Sequence, residues 1–257
     1  MHIDSSLWLL TALAGFAAGL IDSIVGGGGL VLTPAMLNLH PGLSILQAIG
    51  TQRTSSILVT SVAAWNYLRK VTVERSILIP ACIAALSASA IGVQLAKRID
   101  PDTLKLTVLA ICVPLALYTA LRKNLGLTEE RRFHPRHESL AAAGIGAATG
   151  FYNGLIGPGT GTLMVFAFVS FLGLDFLKSS AVSKATNVAA DISSWTVLFF
   201  SGFILWVLAV PLIIGNMIGS YIGSHLAIRK GQGFIRMVFL VIVLGLIARQ
   251  AWQLLAN

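Results

Sequence analysis

Two glycine clusters constrain this chain more than any other feature. The first, Gly26-Gly27-Gly28-Gly29, interrupts an apolar stretch that starts near residue 7 and resumes as far as Asn38-Leu39-His40-Pro41-Gly42. The second, Gly157-Pro158-Gly159-Thr160-Gly161, interrupts a stretch running from about residue 140 to Gly173. Glycine has little helix propensity and proline cannot donate a backbone hydrogen bond, so each region reads as a helix, a break and a second helix. The clusters are also copies of each other. At an offset of 131, Gly15 matches Gly146, Gly19 matches Gly150, Asp22 matches Asn153, Gly26 matches Gly157 and Gly28 matches Gly159. The same register pairs Pro80 with Pro211, and Ser89, Ile91, Gly92, Leu95 and Ala96 with Ser220, Ile222, Gly223, Leu226 and Ala227. A register that holds from Gly15 to Ala96 without a gap reads as a tandem duplication, joined in the basic loop 122–138.

Composition says where such a chain can exist. Of its 257 residues 56% are hydrophobic and 11% charged, and the mean hydropathy is +0.83. Soluble domains carry about 25% charged residues, so this chain is too short of charge to cover a water-facing surface. That excludes an ordinary soluble enzyme and a disordered chain. The two cysteines, Cys82 and Cys112, sit in apolar runs and exclude a disulfide scaffold. The formal charge of +8 does not point to nucleic acid, because the basic residues cluster between apolar runs: Arg69, Lys70 and Arg75; Lys97, Arg98 and Lys105; residues 122–136; Arg229, Lys230 and Arg236. That is the loop pattern of a polytopic membrane protein. Met1 to Ser6 carries no Lys or Arg, so residues 7–24 are expected to stay in the mature chain rather than leave as a signal peptide.

Six runs are long enough to cross a bilayer: 44–68, 76–97, 102–121, 178–200, 203–227 and 234–254. The expected fold is therefore all-α, with two repeats. Residues 1–121 and 139–257 each hold a broken, re-entrant hairpin (7–40 or 140–173) and three spans, and the loop 122–138 links them. Three crossings per repeat make the second copy inverted, as in many secondary transporters. An outside N-terminus, and with it an outside C-terminus, leaves the clusters at 69–75, 122–138 and 229–236 inside; only the loop 97–105 departs from the rule.

Ionisable residues inside spans are costly and therefore functional candidates; here they are Asp22, Arg53, Lys184 and Asp191. Arg53 and Lys184 stand one repeat apart. A half-helix that starts after a glycine break presents free N–H groups and the positive end of its dipole. Two cations together with two such helix ends describe a site for a small anion. Its expected lining is Arg53, Lys184, Gly26, Gly27, Gly28, Gly29, Gly157, Gly159, Thr160 and Gly161, with Ser55, Ser183 and Asn187 as further donors. Asp22 and Asp191 are candidates for salt bridges or proton coupling. The competing reading lets Arg53 and Lys184 snorkel to an interface. The repeats Gly15-xxx-Gly19 and Gly215-xxx-Gly219-xxx-Gly223 read as close helix packing. His134 and His137 read as solvated loop residues, and His225 as a structural polar contact. No cofactor, metal site, P-loop or nucleophile constellation is indicated.

The segment Gly19-Leu20-Ile21-Asp22-Ser23-Ile24-Val25-Gly26-Gly27-Gly28-Gly29-Leu30 with Pro34, together with Gly157-Pro158-Gly159-Thr160-Gly161, resembles the sulfite exporter TauE/SafE family and its YfcA-like branch. The resemblance implies export of sulfite or organosulfonates across the bacterial cytoplasmic membrane by a secondary transporter. The implied partners are a small anionic substrate and the lipid bilayer. This chain departs from the family pattern at Gln52 for Asn, Arg53 for Lys, Val182 for His, and Asp191 where a neutral polar residue is usual. An importer or channel for thiosulfate, sulfate or another small anion shares the same site logic; an integral-membrane enzyme or assembly factor lacks its constellation.

Overall fold

A computed structural model of the chain describes residues 5–98, 129–157 and 159–255. The expected span 102–121, Cys112 and Pro158 lie outside the described residues. Within them the fold is entirely helical. The first apolar region gives α1 (Ser5–Val25) and α2 (Gly28–Leu39), separated by the glycine break. Ser44 then caps α3 (Ile45–Leu68) in a capping box with Gln47, and α4 covers Arg75–Ala96. The second broken region gives α5 (Pro135–Leu155) and α6 (Thr160–Ala167), which runs into a π-helical turn at Phe168–Leu172 and stops at left-handed Gly173. Asp175 caps α7 (Phe176–Phe200) through the Lys178 N–H.

The last element, α8 (Trp206–Leu255), consists of two helical stretches that meet at a kink, where Gly231 (φ 73°, ψ −165°) is not helical. The kink falls between the expected spans 203–227 and 234–254, inside the basic cluster Arg229, Lys230 and Arg236. Arg and Lys are good helix formers, so the connection is a tight turn at one glycine rather than an extended loop.

Burial is inside-out relative to a soluble protein. Ile83 on α4 is 63% exposed and Leu9 on α1 62%, whereas Lys184 is 1% and Asp191 2% exposed. Apolar side chains facing outward and charges facing inward suit a surrounding lipid solvent. Among the described residues, Ser6–Ile24, Arg75–Ala96 and Trp206–Val241 are long and apolar enough to cross a membrane. Helices α3 and α7 have similar length but carry the polar groups of the centre, which lowers their hydropathy. The molecule is an all-α polytopic membrane protein.

Cross-contacts between the halves come in reciprocal pairs. Gly15 meets Leu212 and Gly146 meets Ala81; Gly19 meets Asn216 and Gly150 meets Ala85; Gly223 meets Leu20 and Gly92 meets Phe151. In every case adding 131 to one residue and subtracting it from the other converts the first contact into the second. These are close approaches of backbones: a Cβ on Gly146 would lie 2.3 Å from the Ala81 carbonyl oxygen, and one on Gly19 the same distance from that of Asn216. The hydroxyls follow suit. Ser89 donates to the Ala190 carbonyl and Ser220 to that of Val59, both at 2.8 Å.

A separate ionic network lies at one end of the bundle. Arg131 donates to Glu74 just before α4, to Glu129, and at 2.8 Å to Glu138 in the first turn of α5, while Lys178 of α7 also reaches Glu129. The linker main chain is pinned as well, Glu130 N donating to the Gly173 carbonyl at 2.8 Å. Hydrogen bonds from Arg131 hold the Glu74 carboxyl below the usual carboxylate range. At Glu129 burial pushes the other way, and the contacts from Lys178 and Arg131 outweigh it.

Candidate substrate site

The two breaks bring their residues to one place. At the first, Gly26 adopts φ +91°, a left-handed conformation that favours glycine, and its N–H closes on the Asp22 carbonyl at 2.7 Å. At the second, Gly157 (φ +84°) and Gly159 (φ +86°) make the equivalent reversal. The breaks touch back to back: a Cβ on Gly26 would stand 2.4 Å from the Gly161 Cα, and Thr162 N donates to the Gly26 carbonyl at 3.2 Å. No side chain separates them.

The long helices α3 and α7 flank the breaks and deliver the charges. Arg53 on α3, 4% exposed, sends its guanidinium across to the second break. It donates to the Asn153 main-chain carbonyl, to Asn153 Oδ1 at 2.6 Å, to Asp191 Oδ1 at 3.0 Å and to Ser194. Gly157 leaves it room, since a Cβ there would be 2.7 Å from the guanidinium. Lys184 on α7 reaches back to the first break. It donates to the Asp22 main-chain carbonyl, and its ammonium lies 3.6 Å from the Asp22 carboxylate. Neither cation snorkels to an interface.

Each acid is held differently. Asp191 accepts from Arg53 and from Asn153 (2.9 Å) on one oxygen, and from Ser56 (3.1 Å) and Asn187 (3.2 Å) on the other. Asp22 accepts the Gly28 N–H at 3.2 Å and has the Thr60 hydroxyl 3.5 Å away. The four charges sum to zero when all are ionised. The two cations and two acids pair as Arg53–Asp191 and Lys184–Asp22.

Between the breaks lies a cavity of about 30 Å³, lined by Asp22, Gln52, Arg53, Ser56, Asn153, Asn187 and Asp191, with Gly26, Gly29, Gly157, Gly159, Thr160 and Gly161 supplying the rest of its polar wall. A volume of that size holds one or two waters. Lys184, Gly27 and Gly28 do not line it; Lys184 and Gly28 act through their contacts with Asp22. Ser55 turns away and accepts from Asn216 of α8 at 2.5 Å, and the buried Ser183 hydroxyl has no hydrogen-bond partner among the described residues. Ser56, Gln52, Asn153 and Ser194 complete the polar cluster; of these only Asn153 was marked by the repeat, as the counterpart of Asp22. Elsewhere, His225 contacts the Tyr221 carbonyl at 2.9 Å.

Comparison with known proteins gives this arrangement a family. The family model for the sulfite exporter TauE/SafE matches residues 11–249. The chain belongs to that family. It is 31% identical over 249 residues to a probable membrane transporter protein, ORF9, of Sinorhizobium sp, covering 96% of this chain and 94% of that one. It is 30% identical over 239 residues to the probable membrane transporter protein YfcA of Escherichia coli K12, covering 92% and 85%. A probable membrane transporter protein of Haemophilus influenzae is 29% identical over 253 residues, covering 98% of each chain. No solved structure matches. Family and relatives identify a membrane transporter, not an enzyme.

Proposed function

We propose that this TauE/SafE-family protein is a secondary transporter of small anions that exports sulfite or organosulfonates across the bacterial cytoplasmic membrane. The observation that carries this reading is the convergence of Arg53 and Lys184, buried and one repeat apart, on two glycine breaks that share one polar cavity. Arg53 neutralises the substrate directly, and Lys184 does so once its contact with Asp22 opens. Main-chain N–H groups around Gly26–Gly29 and Gly157–Gly161 bind the substrate oxygens, and Ser56, Asn153 and Asn187 supply further donors. A cavity of about 30 Å³ must widen to admit a sulfur oxyanion, so binding is tied to helix movement. Two inverted repeats are supported by the reciprocal contacts, because a twofold relation converts every contact between residue i of one copy and residue j of the other into its mirror pair. Rocking one repeat against the other then exposes the site alternately to the two faces. Both termini lie outside in this reading.

The test is a panel of sulfite, sulfoacetate, sulfolactate, thiosulfate, sulfate and acetate, scored by thermal stabilisation of the purified protein. A sulfur-containing anion is expected to stabilise the wild type, and Arg53→Gln and Lys184→Gln to abolish or weaken that effect. An unaltered response in both variants overturns the central site. Flux in proteoliposomes under imposed gradients separates export from import or channel behaviour.

A further inference from the structure

The Asp22 carboxylate stands where the substrate's own oxygens are expected. One oxygen accepts the N–H of Gly28, the first residue of the 12-residue helix α2. The other faces the Lys184 ammonium at 3.6 Å and the Thr60 hydroxyl at 3.5 Å. Asp22 also lines the cavity. It thus occupies both halves of an anion site, the helix N-terminus and the buried cation. Asn153, its counterpart in the second hairpin, is neutral and hydrogen-bonds with Arg53, Asn187 and Asp191.

The second acid does not share this position. Asp191 is satisfied on both oxygens by four side-chain donors and its side chain is 3% exposed, whereas the Asp22 side chain is 14% exposed and held by one amide, one hydroxyl at 3.5 Å and one long ion pair. Among the described residues, the charged groups around Asp22 are Lys184 and Asp191 from α7 and Arg53 from α3. The other packed elements are neutral where they approach it: Gly28 comes from α2 and Gly161 from α6, and α8 packs on α1 through Gly219 against Phe16 and Leu20 and Gly223 against Leu20 and Ser23.

We propose that Asp22 is a built-in competitor for the transported anion, released from Lys184 and Gly28 by taking up one proton as the anion binds. The proposal rests on the anion reading above. With all four groups ionised the site is neutral, and a monovalent anion added to it would leave a net negative charge out of water, which is costly. A proton on the Asp22 carboxylate converts it to the neutral acid and restores the balance. The proton enters from the aqueous phase with the anion and leaves with it when Asp22 re-forms its contacts. A monovalent anion and one proton therefore move together, and the cycle carries no net charge.

The decisive measurement is calorimetric titration of the purified full-length protein with methanesulfonate and isethionate, whose sulfonate groups stay ionised throughout, in buffers of different ionisation enthalpy. The wild type is expected to take up about one proton per anion bound. Its affinity should fall about tenfold per pH unit on the alkaline side, the slope of one linked proton. Asp22→Asn should bind about tenfold or more tightly at about pH 8, without proton uptake and with a flat pH profile. Binding by the wild type without proton uptake overturns this proposal alone. Binding of neither sulfonate overturns it together with the anion reading for sulfonates. If Asp22→Asn does not fold, the wild-type proton count still decides.

Discussion

The two halves of the central site use the same positions for unlike purposes. In one, Arg53 meets Asn153 of the hairpin and Asp191 of the opposite long helix. In the other, Lys184 meets Asp22 of the hairpin, while the position matching Asp191 is Thr60. The acid has changed sides: it sits on the long helix in the first half and on the hairpin in the second. The consequence is a difference in rigidity. A planar guanidinium among several fixed acceptors is a lattice that resists change, whereas an ammonium near a thinly held carboxylate can exchange partners. Near-symmetry builds the site, and the break in symmetry gives one half a permanent ion pair and the other a yielding one.

The comparison is most severely tested by removing each cation. Arg53→Gln strands Asp191 among donors that no longer include a positive charge, and breaking a buried pair this way costs about 3–5 kcal/mol. Lys184→Gln strands an acid that is more exposed, so a loss of about 1–3 kcal/mol is expected. Thermal or denaturant unfolding in one detergent measures both, and an equal loss would refute the division into fixed and yielding halves. A finer test uses the reciprocal hydroxyls. Ser89→Ala and Ser220→Ala should each cost about 1 kcal/mol, and they should match each other, because the bonds to Ala190 and Val59 are copies of one interaction.

The smallest effect is expected outside the core. Glu74 and Glu129 have depressed folded-state pKa values, so their contribution is present above the unfolded carboxylate range and is lost as pH falls through the folded values. Arg131→Gln should remove less than about 1 kcal/mol at neutral pH, given the exposure of these groups. Melting temperatures at several salt concentrations check this. High salt should shrink the Arg131 effect and leave the Arg53 effect nearly intact.

Much of this architecture was readable before any coordinates. A run of glycines weakens a helix in any fold, and a fixed offset survives in any fold, so the breaks near Gly26 and Gly157 and the candidacy of Arg53 and Lys184 followed directly. What failed to show was anything set by rotation about a helix or by pairing between distant segments. Ser55 was favoured as a donor, but one residue turns a helix by about 100°, so Ser55 faces Asn216 and Ser56 faces Asp191. The Arg53–Asp191 pair joins residues 138 positions apart, a separation with no local signal. The tight kink at Gly231 was hidden because positive charges mark a membrane boundary without specifying whether the backbone there forms a long loop or a single sharp turn.

The contact between Gly26 and Gly161 carries one last consequence. Because main chain abuts main chain, there is no flexible group there to absorb a shift, and the two reversals behave like the meshed teeth of a gear. When one hairpin tilts, the other must turn with it or disengage altogether. In the rocking cycle proposed above, a half-open arrangement, with a gate ajar on both faces of the membrane at once, is thereby denied an easy route.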